Sequence, residues 1–169
     1  MTRRLSTPLA LLLLLTAGAL SFFIYFGQWF PPVLAVHFDL AGNPNGWQDR
    51  IKFIVIGTSL SFILPPFLVA CIGVLPRVIP PRSINLPNRE FWLAPERREE
   101  TYNAMLYFAL WLACLVQAFL IAIHVTIARA NPAGAPPHAP QGTLLIGLVF
   151  AASLIAWSVR FVSGFVRTE

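Results

Sequence analysis

A chain of 169 residues with 57% hydrophobic and only 11% charged residues, and a mean hydropathy of +0.69, is too apolar for a soluble domain and reads as an integral membrane protein. Its net charge of +5 does not point to nucleic acid, because the basic residues stand at the ends of apolar runs and form no stripe. Two cysteines, Cys71 and Cys114, both in apolar stretches, make no disulfide framework and read as small core residues.

Residues 8–29 form the first apolar run, preceded by Arg3 and Arg4. Ala17-Gly18-Ala19 has the small-x-small form that signal peptidase cuts, but the run continues to Phe26 without a polar break, which favours an uncleaved anchor. About 21 helical residues rise about 31 Å and cross a bilayer. Ser21, Tyr25 and Gln28 share one helical face, expected to look into a bundle.

The polar stretch His37-Phe38-Asp39-Leu40-Ala41-Gly42-Asn43-Pro44-Asn45-Gly46-Trp47 follows. Its Asn, Pro and Gly carry turn chemistry, so an ordered hairpin is expected. On extended chain His37 and Asp39 project to one side, and Trp47 suits the headgroup level. The stretch resembles the His-Phe-x-x-x-Gly-x-x-x-Gly-Trp signature of an uncharacterised membrane domain that opens the SdpI-type proteins, with His37, Phe38, Gly42, Gly46 and Trp47 at matching positions. Leu34-Ala35-Val36 stands where that family usually has a proline, and Asn45 where it often has an acidic residue. The resemblance covers roughly residues 20–70. It implies a small membrane protein of binding, signalling or immunity type, since SdpI-type founders confer immunity to a secreted toxin and relay its presence to a repressor.

A second span is expected at residues 53–75, where Pro65 and Pro66 delete two backbone donors. A kink is the simplest outcome, and a broken helix lining a cavity the alternative. Residues 76–102 are polar and rich in proline, with Ile84, Leu86, Phe91, Trp92 and Leu93 free to lie on the membrane surface. Pro95 with Glu96, Glu99 and Glu100 resembles a helix start. A third span is expected at 103–128, its polar residues Asn103, Gln117 and His124 within one sector that should face protein or water. A loop over 129–142 with no motif leads to a fourth span at 143–162.

The fold expected is therefore all-α, a polytopic four-transmembrane-helix bundle with an ordered extracytoplasmic hairpin between helices 1 and 2, the whole chain one membrane domain. With the N-terminus inside, nine basic residues (Arg3, Arg4, Arg77, Arg82, Arg89, Arg97, Arg98, Arg160, Arg167) lie inside against three outside (Arg50, Lys52, Arg129), which predicts cytoplasmic termini in a bacterial inner or plasma membrane. His37, Asp39, Gln28 and His124 are then expected to gather in an outward-facing vestibule, with Gln117 deeper on the same stripe. Such a site could sense protons, hold a metal or receive a peptide. The alternative is that His37 and Asp39 brace the hairpin through its own backbone, with Phe38, Gly42, Asn45, Gly46 and Trp47 as structural motif residues. No fixed metal-ligand spacing occurs, so no metal ligand and no cofactor is assigned. No phosphate loop, nucleophile elbow or His-Glu-x-x-His helix occurs either, so no enzyme is expected. The partners expected are the lipid bilayer, a peptide or protein ligand at the extracytoplasmic loop and further copies of the chain, with nucleic acid excluded. The rival reading is an oligomeric small-solute or ion transporter or channel subunit.

Overall fold

The structure is a computed structural model and describes residues 5–39 and 41–166. Arg3, Arg4 and Arg167, counted in the charge bias, lie outside the described residues. Helix α1 (Ser6–Phe26) ends in a 3-10 turn and leads to strands β1 (Val33–Phe38) and β2 (Pro44–Asp49). Helix α2 (Arg50–Leu68), a short α3 (Arg89–Trp92), α4 (Arg98–Ala130) and α5 (Thr143–Val166) follow. Four helices are long and apolar enough to cross a membrane, the architecture of a helical multi-pass membrane protein. The all-α expectation takes one amendment: the loop after α1 is a two-stranded antiparallel sheet. Leu34 and Ala35, consecutive residues of β1, are both fully buried, so the hairpin is packed into the rest of the chain at this point.

Helix α4 is the centre of the molecule. It packs against α1, α2 and α5, whereas α5 touches the rest mainly through α4. Its 33 residues rise about 50 Å, longer than the hydrocarbon layer of about 30 Å, so its charged first turn projects from the apolar zone. The helix start read at Pro95–Glu100 and the span read at 103–128 are thus one helix, which begins at Arg98. Pro95 and Glu96 fall in the turn before it, while Glu99 accepts from Arg77 at 2.7 Å and Asn103 accepts from the same guanidinium at 2.8 Å.

Three apolar clusters stack along α4. Phe23, Phe30, Leu34 and Phe53 fill the hairpin end, Leu12, Leu110, Ala113 and Cys114 the middle, and Ile84, Leu86, Leu93, Tyr102, Met105, Phe108 and Phe165 the opposite end. The last corrects the expectation that residues 84–93 lie along the membrane surface: Ile84, Leu86 and Leu93 are buried under the bundle. Trp92 and Asn88 also donate to the last carbonyls of α5, at Phe165 (2.7 Å) and Val166 (2.7 Å). Those carbonyls have no partner within their own helix, so the fold-back segment caps it.

Helix α2 runs unbroken through Pro65 and Pro66 and then widens into a π-helical turn over Val69–Val74. The i→i+5 pattern absorbs the register lost at the two prolines. Two expectations about facing fail. Ser21, Tyr25 and Gln28 are all exposed, because α1 buries Pro8, Leu12, Ala19 and Phe23 instead, and the Gln28 amide meets its need locally by donating to the Tyr25 carbonyl at 3.1 Å. Cys71 is exposed and only Cys114 is buried, its thiol donating to the Pro8 carbonyl at 3.3 Å.

Candidate functional site

The hairpin is built by identifiable residues. The Asp39 carboxylate accepts from the Asn43 backbone N–H at 2.8 Å and from its side-chain amide at 3.2 Å. Backbone bonds from Asp39 N–H to the Asn43 carbonyl (2.9 Å) and from Gly42 N–H to the Asp39 carbonyl (3.0 Å) close the turn. Gly42 has φ +87, a conformation in which a side chain is strained, and a Cβ there would stand 2.8 Å from the Cβ of Ala139. Gly46 pairs with His37 across the sheet, and a Cβ on it would lie 2.8 Å from His37 Cβ and Cδ2. Glycine at 46 thus makes room for the imidazole. Val36 and Asn45 fall where the register slips, so each strand carries one irregular step. Hydrogen bonds from the Asn43 backbone, and then from its side chain, hold the Asp39 carboxyl below the usual carboxylate range.

The hairpin is tied to α4 by a residue that the sequence did not single out. Asn131, just past the end of α4, is buried, and its carboxamide accepts from Ala35 N–H at 2.7 Å and donates to the Ala35 carbonyl at 2.9 Å. It thereby imitates a neighbouring strand. The same amide also donates to the Ile127 carbonyl at 2.9 Å. An Asn-Pro pair after an apolar run signals a helix stop, but its partner lies 96 residues away.

Under the hairpin runs a groove of about 740 Å³ between β1, the Ile123–Ile127 turn of α4 and the first two turns of α5. Its walls are mostly apolar (Val36, Phe38, Ile123, Leu144, Leu148), and His37, Asp39, Thr126 and Thr143 supply the polar atoms. Gly147 forms part of its floor, with open space where a side chain would project.

His124 does not join this groove. Its ring is buried against α1 and α2, edge-on to Phe23 at 5.0 Å and Phe53 at 5.8 Å, and a Cβ on Gly57 would stand 3.0 Å from its Nε2. Gln117, two turns along α4, is fully buried, as is Ser61 on α2. The four residues expected in one vestibule are therefore divided: His37 and Asp39 share the groove, Gln28 is exposed in the 3-10 turn after α1, and His124 lies inside the helix contacts with Gln117 and Ser61. Trp47 is exposed on β2. Among the described residues no three His, Cys, Asp or Glu side chains gather as a metal site. No family model, no characterised protein and no solved structure matches this chain.

Proposed function

We propose that this is a small multi-pass binding protein of SdpI type, seated in a bacterial inner membrane with both termini cytoplasmic, whose hairpin and groove receive an apolar stretch of a secreted peptide. The observation that carries the reading is the groove itself. It opens at the hairpin end, offers apolar walls wide enough for side chains, and has an imidazole and a carboxylate at its polar edge, the mixture that binds and orients an amphipathic ligand. The hairpin is pinned to α4 through Asn131, so the site is rigid before binding and little ordering entropy is lost. Binding there would serve either immunity, by sequestering a peptide, or signalling, by altering how α5 sits on α4.

Photo-crosslinking tests this. With a photoreactive residue in place of Leu144, secreted apolar peptide toxins of the kind SdpI-type proteins answer to should crosslink in reconstituted membranes. Gly147→Trp, which fills the groove, should abolish both the crosslink and protection of expressing cells. Absence of crosslinking, or crosslinking indifferent to Gly147→Trp, would sink the groove reading. A second reading, an oligomeric small-solute or ion transporter subunit, draws on the unpaired polar side chains inside the bundle. Flux in proteoliposomes that Gly147→Trp leaves unchanged would favour it.

A further inference from the structure

Among the described residues four side-chain polar atoms are buried within the apolar zone without a hydrogen-bond partner: Ser61 Oγ, Gln117 Nε2 and Oε1, and His124 Nδ1. The residues are 1%, 0% and 6% exposed respectively. Leaving such groups unmet is unfavourable, and lipid offers them nothing.

Their positions converge. The buried face of α2 repeats every four residues, through Phe53, Gly57, Ser61 and Pro65. Gly57 lies against His124, and Gly73 against Leu106 and Ala109, so α2 and α4 run antiparallel along this face. At about 1.5 Å per residue, Ser61 is ~6 Å from the Gly57 level and Gln117 is ~10 Å from the His124 level in the same direction. Ser61 and Gln117 are thus within about 5 Å of each other in depth, with Pro65 closest to the level of Gln117. Pro65 and Pro66 have no N–H to give to the carbonyls of Ser61 and Phe62. Ser61 and Pro65 are buried, whereas Phe62 and Pro66 are exposed, so one of these acceptors, the Ser61 carbonyl, belongs to this contact.

We propose that this contact is a hydrated polar site, in which water molecules bridge Ser61, the Gln117 carboxamide and His124 and reach the Ser61 carbonyl that Pro65 leaves open. Water fits because the site mixes donors with acceptors. It contains no ion partner: the chain has no Asp, Glu, Lys or Arg from 53 to 76 or from 101 to 128, and a bare cation or anion would be buried uncompensated. The inference stands on these residues alone and is independent of the groove.

Water-edited solid-state NMR on the full chain in lipid bilayers, with labelled glutamine and alanine, tests it. The Gln117 side-chain amide should receive water magnetisation nearly as fast as exposed Gln141, and at least about threefold faster than buried Ala109. Loss of the signal in Gln117→Leu assigns it, or its shift in Gln117→Asn if the leucine variant fails to fold. Ser61→Ala, which removes one wall, should slow the transfer at least about twofold. Transfer to Gln117 no faster than to Ala109 would show a dry contact and overturn the proposal. Fast transfer unchanged by Ser61→Ala would overturn it as well, because water would then reach Gln117 by another route.

Discussion

One carboxamide holds the hairpin to the bundle. Asn131 meets both backbone groups of Ala35, which is itself fully buried, so removing the side chain leaves a donor and an acceptor without partners. Asn131→Ala should lower stability by roughly 2–4 kcal/mol in thermal unfolding in detergent, with hydrogen exchange at Ala35 rising first. Asp39 does comparable work in the turn, at the surface. Its folded pKa lies below the ordinary 3.8, so its stabilising effect is fully present above that value and is lost only as pH falls through the lower folded value. Amide exchange at Asn43, corrected for its intrinsic pH dependence, should show constant protection from neutral pH to about pH 4 and loss of protection below that. Asp39→Ala should remove the protection at neutral pH. Neither role depends on a ligand, and both leave the His37 ring available at the groove.

Helix α2 is shaped by what it lacks. Gly57 lets Phe23 of α1 and His124 of α4 meet over its backbone, and a Cβ there would enter the Phe23 ring edge. Gly57→Ala should therefore overpack the three-helix contact and cost about 1–3 kcal/mol, read as a lowered unfolding temperature. Gly18→Ala, where nothing lies within 4 Å, is the matched control and should be neutral or slightly stabilising. The prolines of α2 were legible as a disturbance. The answer, a π-helical turn over Val69–Val74 that lets Gly73 sit against the backbone of α4, was not, because it depends on the facing helix. The polar stripe of α4 was legible for Gln117 and His124, which are buried, whereas Asn103 joins Arg77 at the helix start. The period of a helix says which residues share a face, and says nothing of how far along the face the apolar zone extends.

At the scale of the whole molecule the three clusters along α4 tie the hairpin end and the opposite end to one central helix. Helix α5 is the most weakly held, resting on α4 through Phe108, the stacked pair Trp157 and Phe161, and the Trp157 indole donating to the Phe108 carbonyl at 2.9 Å. It is also one wall of the groove, so ligand-driven motion would be expected there before anywhere else. The proposed orientation predicts that a cysteine at Asn45, in a Cys71→Ser, Cys114→Ala background, reacts with a membrane-impermeant maleimide on intact spheroplasts. One at Arg82 should react only after lysis. The reverse pattern would invert the groove to the cytoplasm and remove a secreted peptide as its ligand.

Composition and hydropathy determined by themselves that the chain has four helices long and apolar enough to cross a membrane, since about 20 apolar residues in a row match the thickness of the hydrocarbon layer. The turn residues likewise announced the hairpin, because positive φ at Gly42 is a local property of the backbone. Only the tertiary structure decided which polar groups meet. His37 borders the groove, whereas His124 is buried against Phe23 and Phe53 and does not line it, because rotating a helix by one residue turns its side chains through about 100°. The bond from Asn131 to Ala35 and the contact of Gly46 with His37 are long-range or cross-strand pairings. They are settled by how elements dock, which no spacing along the chain records.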